Sequence, residues 1–267
     1  GLDSLYLSQY NFDCSQLGFN TVTMYATDVN GNTSTAPAVV NVYDTINPTA
    51  IAQNITVYLD ALGNATIAAS DINNGSYDNC GILFTSINKT SFNCSDAGTN
   101  MVTLTVTDNN LNTSMAMAQV TVVDNMAPVV IAQNATIYLD ATGQATLSVN
   151  DVNNSTSDNC GIASIVLSQT SFTCNDIGIN PVTLTATDIN GNTTNVNVNI
   201  TVVDNTAPVA LSGSMTVYLD ATGQASITSA DIDNGSYDNC SISAMSLDVS
   251  SFNCADLGTN MVNLTVT

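Results

Sequence analysis

Apolar and polar residues alternate strictly along several short stretches of the chain. The alternation is clearest over residues 135–139, 182–187 and 196–202. A period of two is the pattern of a β-strand with one buried face. The turn sequences ATGQ (141–144) and INGN (189–192) lie between the alternating stretches, and no stretch has the spacing of an amphipathic helix. The pattern therefore predicts an all-β unit.

The alternating pattern repeats every 80 residues. VYLDALGNATI at 57–67 returns as IYLDATGQATL at 137–147 and as VYLDATGQASI at 217–227. Short strands separated by turns every 8 to 12 residues, within a unit of this size, are typical of an immunoglobulin-like sandwich. We expect tandem immunoglobulin-like β-sandwich repeats of about 80 residues, arranged end to end.

Proline-containing linkers mark the predicted repeat boundaries. They occur at 43–50, 123–130 and 203–210. They predict a partial repeat (its C-terminal part) at 1–47, full repeats at 48–127 and 128–207, and a partial repeat (its N-terminal part) at 208–267. Neither end of the sequence coincides with a linker, and no end repeat is altered as a cap, so we expect a segment of a longer chain.

Composition restricts the chemistry available to the protein. The 267 residues include no His, Glu or Arg, one lysine and 22 acidic residues, all Asp, for a net charge of -21. Acid-base and nucleophilic catalysis usually draw on His, Glu or Lys, so the composition argues against an enzyme. The charge disfavours nucleic acid and anionic lipid, and no apolar run reaches the roughly 20 residues of a membrane-inserted helix. Cations are the natural partners.

The cysteines follow the repeat. Two cysteines 14 positions apart recur in each repeat and bracket a predicted hairpin centred near Leu167. A bridge across the base of that hairpin is geometrically reasonable, and closing its loop contributes about 3 kcal/mol. The predicted pairs are Cys80 with Cys94, Cys160 with Cys174, Cys240 with Cys254, and Cys14 with a cysteine before residue 1. Such bridges imply an oxidising, extracellular compartment.

Eighteen of the 22 Asp residues fall into six columns at the 80-residue offset. In a sandwich joined end to end, a loop, a hairpin turn and the incoming linker meet at each junction, and they bring several of these carboxylates together. Calcium prefers oxygen ligands from Asp, Asn and carbonyl groups. The residues predicted to bind calcium at the junctions are Asp44, Asp71, Asp78, Asp108, Asn110, Asn112, Asp124, Asp151, Asp158, Asp188, Asn190, Asn192, Asp204, Asp231 and Asp238. The alternative is that these residues only make turns, as Asp and Asn often do.

The motif F-x-C-x-x-x-G-x-N-x-V-x-L-T-x-T-D-x-N-G-N at 172–192, followed by V-x-D-N-x-A-P, resembles the hyalin-type repeat. The segments YLDATGQATL (138–147) and DIDNGSYDNC (231–240) make the chain most similar to repeats in the large surface adhesins of gliding Bacteroidetes. The chain differs at 193–195, where Thr-Thr-Asn stands in place of the usual cysteine. The resemblance implies an immunoglobulin-like fold, export to the bacterial cell surface and a role in adhesion or gliding.

Three functions fit the sequence. The first is a stalk or filament segment of a cell-surface adhesin, in which neighbouring repeats of the chain are partners and calcium stiffens the junctions. The second is a glycan-binding module that uses Tyr138, Tyr218, Tyr77 or Tyr237 as stacking platforms. The third is a filament or sheath assembled through lateral copies of the chain, although its negative charge opposes such contacts.

Overall fold

The computed structural model describes all residues, 1–267, as two compact units. Unit 1 spans Gly1–Met126 and unit 2 spans Ala127–Thr267. The division falls inside the proline-containing linker at 123–130. None of the helices has the length and apolar character needed to span a bilayer.

Unit 1 is built from nine strands and one single-turn helix. The strands are β1 (Leu2–Leu7), β2 (Gly18–Asp28), β3 (Thr33–Val42), β4 (Ile55–Tyr58), β5 (Asn64–Thr66), β6 (Ile82–Ile87), β7 (Ser91–Asn93), β8 (Gly98–Asp108) and β9 (Thr113–Val123). The helix is α1 (Ala69–Ile72), and 3-10 turns span Cys14–Gln16 and Cys94–Asp96. The strands form a sheet in the order β1-β2-β3, a sheet in the order β4-β9-β8-β6, and the pair β5-β7.

Unit 2 contains a second four-stranded sheet with the corresponding strand order and four strand pairs. Its strands are β10 (Val129–Ala132), β11 (Ala135–Tyr138), β12 (Gln144–Thr146), β13 (Asn153–Ser157), β14 (Ile162–Leu167), β15 (Ser171–Thr173), β16 (Gly178–Asp188), β17 (Thr193–Val203), β18 (Gln224–Ser226), β19 (Met245–Leu247), β20 (Ser251–Asn253) and β21 (Leu264–Val266). Helices are α2 (Val149–Val152) and α3 (Ser229–Ile232), with 3-10 turns at Cys174–Asp176 and Cys254–Asp256. The sheet β11-β17-β16-β14 is accompanied by the pairs β10-β13, β12-β15, β18-β20 and β19-β21.

The predicted fold class is confirmed: the protein is all-β, with tandem immunoglobulin-like sandwich repeats. Strands β16 and β17 pair antiparallel over ten residue pairs, and β11 joins β17 in parallel. The alternation places one set of side chains inward, so Val182, Leu184 and Ile200 are buried. They pack in one cluster with Leu147 and Phe172 from the segments outside this sheet. Burial of such side chains, about 1.5–3 kcal/mol each, stabilises the sandwich.

Three short helices were not anticipated from the sequence. Each begins after a residue whose backbone N–H is accepted by an aspartate three positions later, and each buries one apolar residue, as Ile72 in α1 and Val152 in α2 show. A helix of four residues is too short to produce a 3.6-residue periodicity. The sequence feature that marks these helices is the aspartate three positions after the residue at the start of each helix.

The hairpin predicted between Cys160 and Cys174 does not form. Strand β14 pairs with β16 in the four-stranded sheet, whereas β15 pairs with β12. The chain therefore crosses from one layer to the other between these two strands instead of folding back on itself. The two cysteines consequently do not lie at the base of one hairpin.

Candidate metal centre

A cluster of three carboxylates lies in unit 1 where the linker after β3 meets two loops of the following repeat. Asp44 comes from the linker, Asp78 from the loop after α1, and Asp108 from the end of β8. One carboxylate oxygen from each lies within 4.8 Å of those of the other two. We call this group the Asp44–Asp78–Asp108 cluster.

Asp108 is held rigidly by its own turn. Its Oδ1 accepts hydrogen bonds from the backbone N–H groups of Asn110 and Asn112, each at 2.8 Å, and its Oδ2 accepts from Asn112 Nδ2 at 2.8 Å. Asp108 is completely buried. Burial opposes ionisation of this carboxyl, but the bonds from Asn112 and Asn110 outweigh it and hold the pKa below the usual value. The side chain is therefore a fixed, buried negative charge.

Asp44 and Asp78 each have one satisfied and one unsatisfied oxygen. Asp78 Oδ2 accepts from Cys80 N at 2.8 Å, and Asp44 Oδ1 accepts from Ile46 N at 3.0 Å. Asp78 Oδ1 and Asp44 Oδ2 are buried and accept no hydrogen bond. A buried carboxylate oxygen without a partner is costly, so each of these two atoms calls for a ligand.

The cluster has no cationic side chain to balance it. The one lysine, Lys89, pairs with Asp96 at 2.5 Å and lies over the ring of Phe92. Three carboxylates that converge without a counter-charge repel one another. Oxygen donors, two of them with free coordination capacity, fit a hard divalent cation such as calcium.

The Asn residues predicted as calcium ligands brace the site through their nitrogen atoms. Asn112 Nδ2 donates to the backbone oxygens of Asp44 at 3.2 Å and Ile46 at 3.4 Å, in addition to Asp108. Asn110 contributes its backbone N–H to Asp108. In this way Asn112 ties the linker to the hairpin turn.

Asp71, Asp151 and Asp231 are not brought into the cluster. Their Oδ2 atoms accept the backbone N–H of Ala68, Ser148 and Thr228, each at 2.7 Å, at the start of α1, α2 and α3. These aspartates therefore cap the single-turn helices. The columns at 71 and 78, which the sequence did not distinguish, have different surroundings.

The remaining predicted ligands repeat the local geometry of the cluster residues. In unit 1 Asp124 is buried, and its Oδ1 accepts from Met126 N at 3.2 Å. In unit 2 Asp188 is buried and accepts from Asn190 N, Asn192 N and Asn192 Nδ2, as Asp108 does in its own turn. Asp158 Oδ2 accepts from Cys160 N at 2.8 Å, as Asp78 does from Cys80.

Asp204 and Asp238, both in unit 2, reproduce the linker and loop positions of Asp44 and Asp78. Asp238 Oδ2 accepts from Cys240 N at 3.0 Å, and Asp238 Oδ1 is buried without a hydrogen bond. The residue after Asp238, Asn239, donates from its Nδ2 to Asp204 Oδ1 at 3.2 Å. The Oδ1 of Asn239 is buried and has no hydrogen bond. Asn239 is a candidate ligand that the sequence reasoning missed. The signal was the tripeptide Asp-Asn-Cys, which recurs at 78–80, 158–160 and 238–240.

The disulfides differ from the predicted pairing. Cys14 bonds to Cys80 and Cys174 bonds to Cys240, each across 66 residues, with Cα atoms 5.2 and 5.4 Å apart. The predicted pairs Cys80–Cys94, Cys160–Cys174 and Cys240–Cys254 are therefore wrong, as is a partner for Cys14 before residue 1.

The layer crossing between β14 and β15 explains the error in pairing, because it separates the two cysteines of a repeat. Each observed bridge instead joins the 3-10 turn of one repeat to the Asp-Asn-Cys loop of the next. Cys94 and Cys160 are also disulfide-bonded, and Cys254 is a free, exposed thiol.

No protein-family model and no curated protein matches the chain. Among solved structures, extracellular cadherin domains 1-4 of protocadherin gamma B7 are similar at 12% identity, over 93% of this chain and 78% of that one, with a TM-score of 0.35. Sidekick-1 immunoglobulin domains 1-4 are similar at 10% identity, over 72% and 60%, also at 0.35. The mouse clustered PcdhgC3 EC1-3 structure is similar at 13% identity, over 70% and 77%, at 0.31. Similarities at these TM-scores do not bear on the chemistry of the site.

Proposed function

We propose that the chain is a stalk segment of an extracellular, cell-surface adhesin. In this proposal its repeats, with 48–127 and 128–207 complete, are joined in series by disulfides and stiffened by calcium at the junctions. The Asp44–Asp78–Asp108 cluster is the calcium site of unit 1. The resemblance of the repeat motif to hyalin-type adhesins supports this function and suggests export to a bacterial surface.

The observation that carries the proposal is the pair of buried, unsatisfied carboxylate oxygens, Asp44 Oδ2 and Asp78 Oδ1. They belong to two successive repeats, since Asp44 precedes the linker proline and Asp78 follows it. A cation bound to both would tie the linker to the next repeat. A stalk needs such rigid junctions, whereas turn chemistry alone leaves these two oxygens unexplained.

The disulfides support an extracellular location. Bonds such as Cys14–Cys80 and Cys174–Cys240 persist in oxidising environments and are rare in the cytosol. Each closes a loop of 66 residues, which in the chain-entropy model stabilises the folded state by about 4 kcal/mol. Covalent links between repeats also suit a protein that bears tension.

The test is thermal unfolding of the full chain in excess chelator, in calcium and in magnesium. At a calcium concentration one hundred times its Kd, binding adds about 2.7 kcal/mol, which raises the melting temperature by roughly 10 °C. Magnesium, which requires near-ideal octahedral geometry and holds its waters, should raise it less. Equal melting temperatures in all three conditions would overturn the proposal.

A further inference from the structure

The cation cluster and a disulfide share one loop in unit 1. In the Asp78-Asn79-Cys80 loop, Asp78 belongs to the cluster and Cys80 is bonded to Cys14 of the preceding repeat. Cys80 N donates to Asp78 Oδ2 at 2.8 Å, and Cys14 Sγ lies 3.4 Å from the Asn79 carbonyl oxygen. Both bonded cysteines therefore touch the segment that carries the Asp78 carboxylate.

The residue between them extends the connection to the linker. Asn79 Nδ2 lies 3.4 Å from Asp44 Oδ1 and 3.2 Å from Cys80 Sγ. The carboxylates of Asp44 and Asp78 and the disulfide are thus joined through a single three-residue loop. Movement of this loop would displace Asp78 and release the contact to Asp44 together.

The same arrangement occurs independently in unit 2. Cys240 is bonded to Cys174, Cys240 N donates to Asp238 Oδ2, and Asn239 Nδ2 donates both to Asp204 Oδ1 and to the Asp140 carbonyl oxygen at 3.0 Å. Cys174 Sγ lies 3.6 Å from the Asn239 carbonyl oxygen. The arrangement is therefore a property of the Asp-Asn-Cys loop and not of one location.

We propose that the Cys14–Cys80 disulfide and the Asp44–Asp78–Asp108 cluster are thermodynamically coupled, so that reduction of the disulfide weakens cation binding and a bound cation protects the disulfide from reduction. The proposal rests on the cation site of the proposed function. Without a cation, repulsion pushes Asp78 away from Asp44 and Asp108, and the disulfide opposes that movement. Coupling between two sites is reciprocal, so each must stabilise the other by the same factor.

The redox step is an ordinary thiol–disulfide exchange. An external dithiol attacks the Cys14–Cys80 bond and closes to its own cyclic disulfide. It loses two electrons, and two protons pass with them to the Cys14 and Cys80 thiols. The protein then carries two thiols and an unrestrained Asp-Asn-Cys loop.

The experiment compares cation affinity with and without the disulfide in the full chain. Tyr43 and Tyr77 immediately precede Asp44 and Asp78, so tyrosine-sensitised terbium luminescence, followed by competition with calcium, reports on this cluster. Tyr237→Phe in every protein removes the signal from the corresponding position in unit 2. We expect Cys14→Ser with Cys80→Ser to weaken calcium binding about tenfold, and the matched control, Cys174→Ser with Cys240→Ser, to leave it unchanged.

The reciprocal arm uses the chain with its natural cysteines. The chain is equilibrated with graded ratios of reduced to oxidised dithiothreitol, in calcium or in chelator, and the reduced fraction of Cys14–Cys80 is measured by alkylation and peptide mass spectrometry. Calcium should raise the ratio of reduced to oxidised dithiothreitol at which half of the Cys14–Cys80 bond is reduced, by the same factor, and Asp78→Asn should abolish the effect. This experiment still tests the coupling if the Cys14→Ser, Cys80→Ser variant fails to fold.

The outcomes separate the two proposals. Calcium binding that is unaffected by loss of the disulfide, or half-reduction at the same dithiothreitol ratio with and without calcium, would overturn the coupling and leave the cation site standing. Absence of terbium and calcium binding to the chain with its natural cysteines would overturn the proposed function itself.

Discussion

At the scale of single residues, aspartates at different positions differ in how many hydrogen bonds their carboxylate oxygens accept. Asp71 Oδ2 accepts the backbone N–H of Ala68, and both oxygens of Asp108 accept hydrogen bonds from its own turn. Asp44 and Asp78 each keep one buried oxygen without a partner. Of these four aspartates, only Asp44 and Asp78 therefore have a buried oxygen that accepts no hydrogen bond from the chain.

Replacing Asp78 with Asn tests this distinction. The substitution removes one of three converging charges, so in chelator it should raise the melting temperature, because repulsion within the cluster falls. In calcium it should abolish most of the stabilisation that the cation gives to unit 1. Melting curves of the full chain in both conditions measure the two effects.

Asp71→Asn is the matched control. It lies in the same repeat but outside the cluster, so it should lower the melting temperature slightly, because a neutral amide oxygen accepts the Ala68 N–H less strongly than a carboxylate does, and leave the calcium-induced increase intact. If Asp71→Asn suppressed the calcium response as strongly as Asp78→Asn, the capping column would be part of the site after all.

Gly143 shows how tightly two repeats of unit 2 approach each other. Its φ is +73°, and a Cβ would lie 2.7 Å from Cys174 Sγ and 2.8 Å from the Asn239 carbonyl oxygen. Gly191 has a φ of +93° with no atom within 4 Å of such a Cβ. In chelator, Gly191→Ala should cost about 1 kcal/mol through backbone strain alone, and Gly143→Ala should cost about 1–3 kcal/mol more through overpacking. Equal losses in urea unfolding would show that the contact is not tight.

At the scale of elements, aspartates hold the turns between strands. Asp140 Oδ1 accepts from Thr142 N, Thr142 Oγ1 and Gln144 N, and Asp220 Oδ1 accepts the corresponding bonds from Thr222 and Gln224. The hydrogen bonds from the threonine side chains, followed by those from the backbone, lower the pKa of both carboxyls from 3.8. The ionised form is therefore the one that fits the turn.

The sign of the pH dependence follows from these lowered pKa values. The turn bonds contribute their full stability above pH 3.8 and lose it as the pH falls through the folded-state pKa values. Asp140→Asn with Asp220→Asn keeps the acceptor oxygens but cannot titrate. Between pH 6 and pH 3, in chelator, the urea midpoint should fall further for the natural sequence than for this variant. Identical falls would contradict the assignment.

The sequence predicts strands far better than it predicts which strands meet. The alternation at 182–187 and 196–202 is a local property, and both stretches form the paired strands β16 and β17. The assignment of Cys160 and Cys174 to one hairpin failed, because pairing of β15 with β12 depends on contacts distant in sequence. For the same reason the sequence could not separate Asp71 from Asp78, although both columns recur at the repeat period. Which of the two columns lies in the cluster depends on the loops that meet there, and those loops are distant in sequence.

At the scale of the whole molecule, the disulfides determine how much chain can extend under load. Cys14–Cys80 and Cys174–Cys240 each enclose a long loop that tension applied at the chain ends cannot pull out. The chain therefore resists extension even after its domains unfold.

Single-molecule pulling of the unfolded chain tests this pairing. Reduction of either of these two bonds should lengthen the chain by about 220 Å, the span of 66 extended residues less the Cα separation. Steps of about 40 Å would instead indicate bridges between cysteines 14 positions apart. The two step lengths differ enough for one experiment to distinguish the two disulfide pairings.

The most direct test of the cation site is a crystal structure of the full chain grown in calcium. We expect an ion within about 2.3–2.6 Å of Asp44 Oδ2 and Asp78 Oδ1, with an Asp108 carboxylate oxygen as the third ligand from the cluster. An anomalous signal after exchange for terbium would identify the position without ambiguity. Well-defined density that shows a water molecule or a nitrogen donor at both oxygens, in crystals containing millimolar calcium, would rule out the cation site.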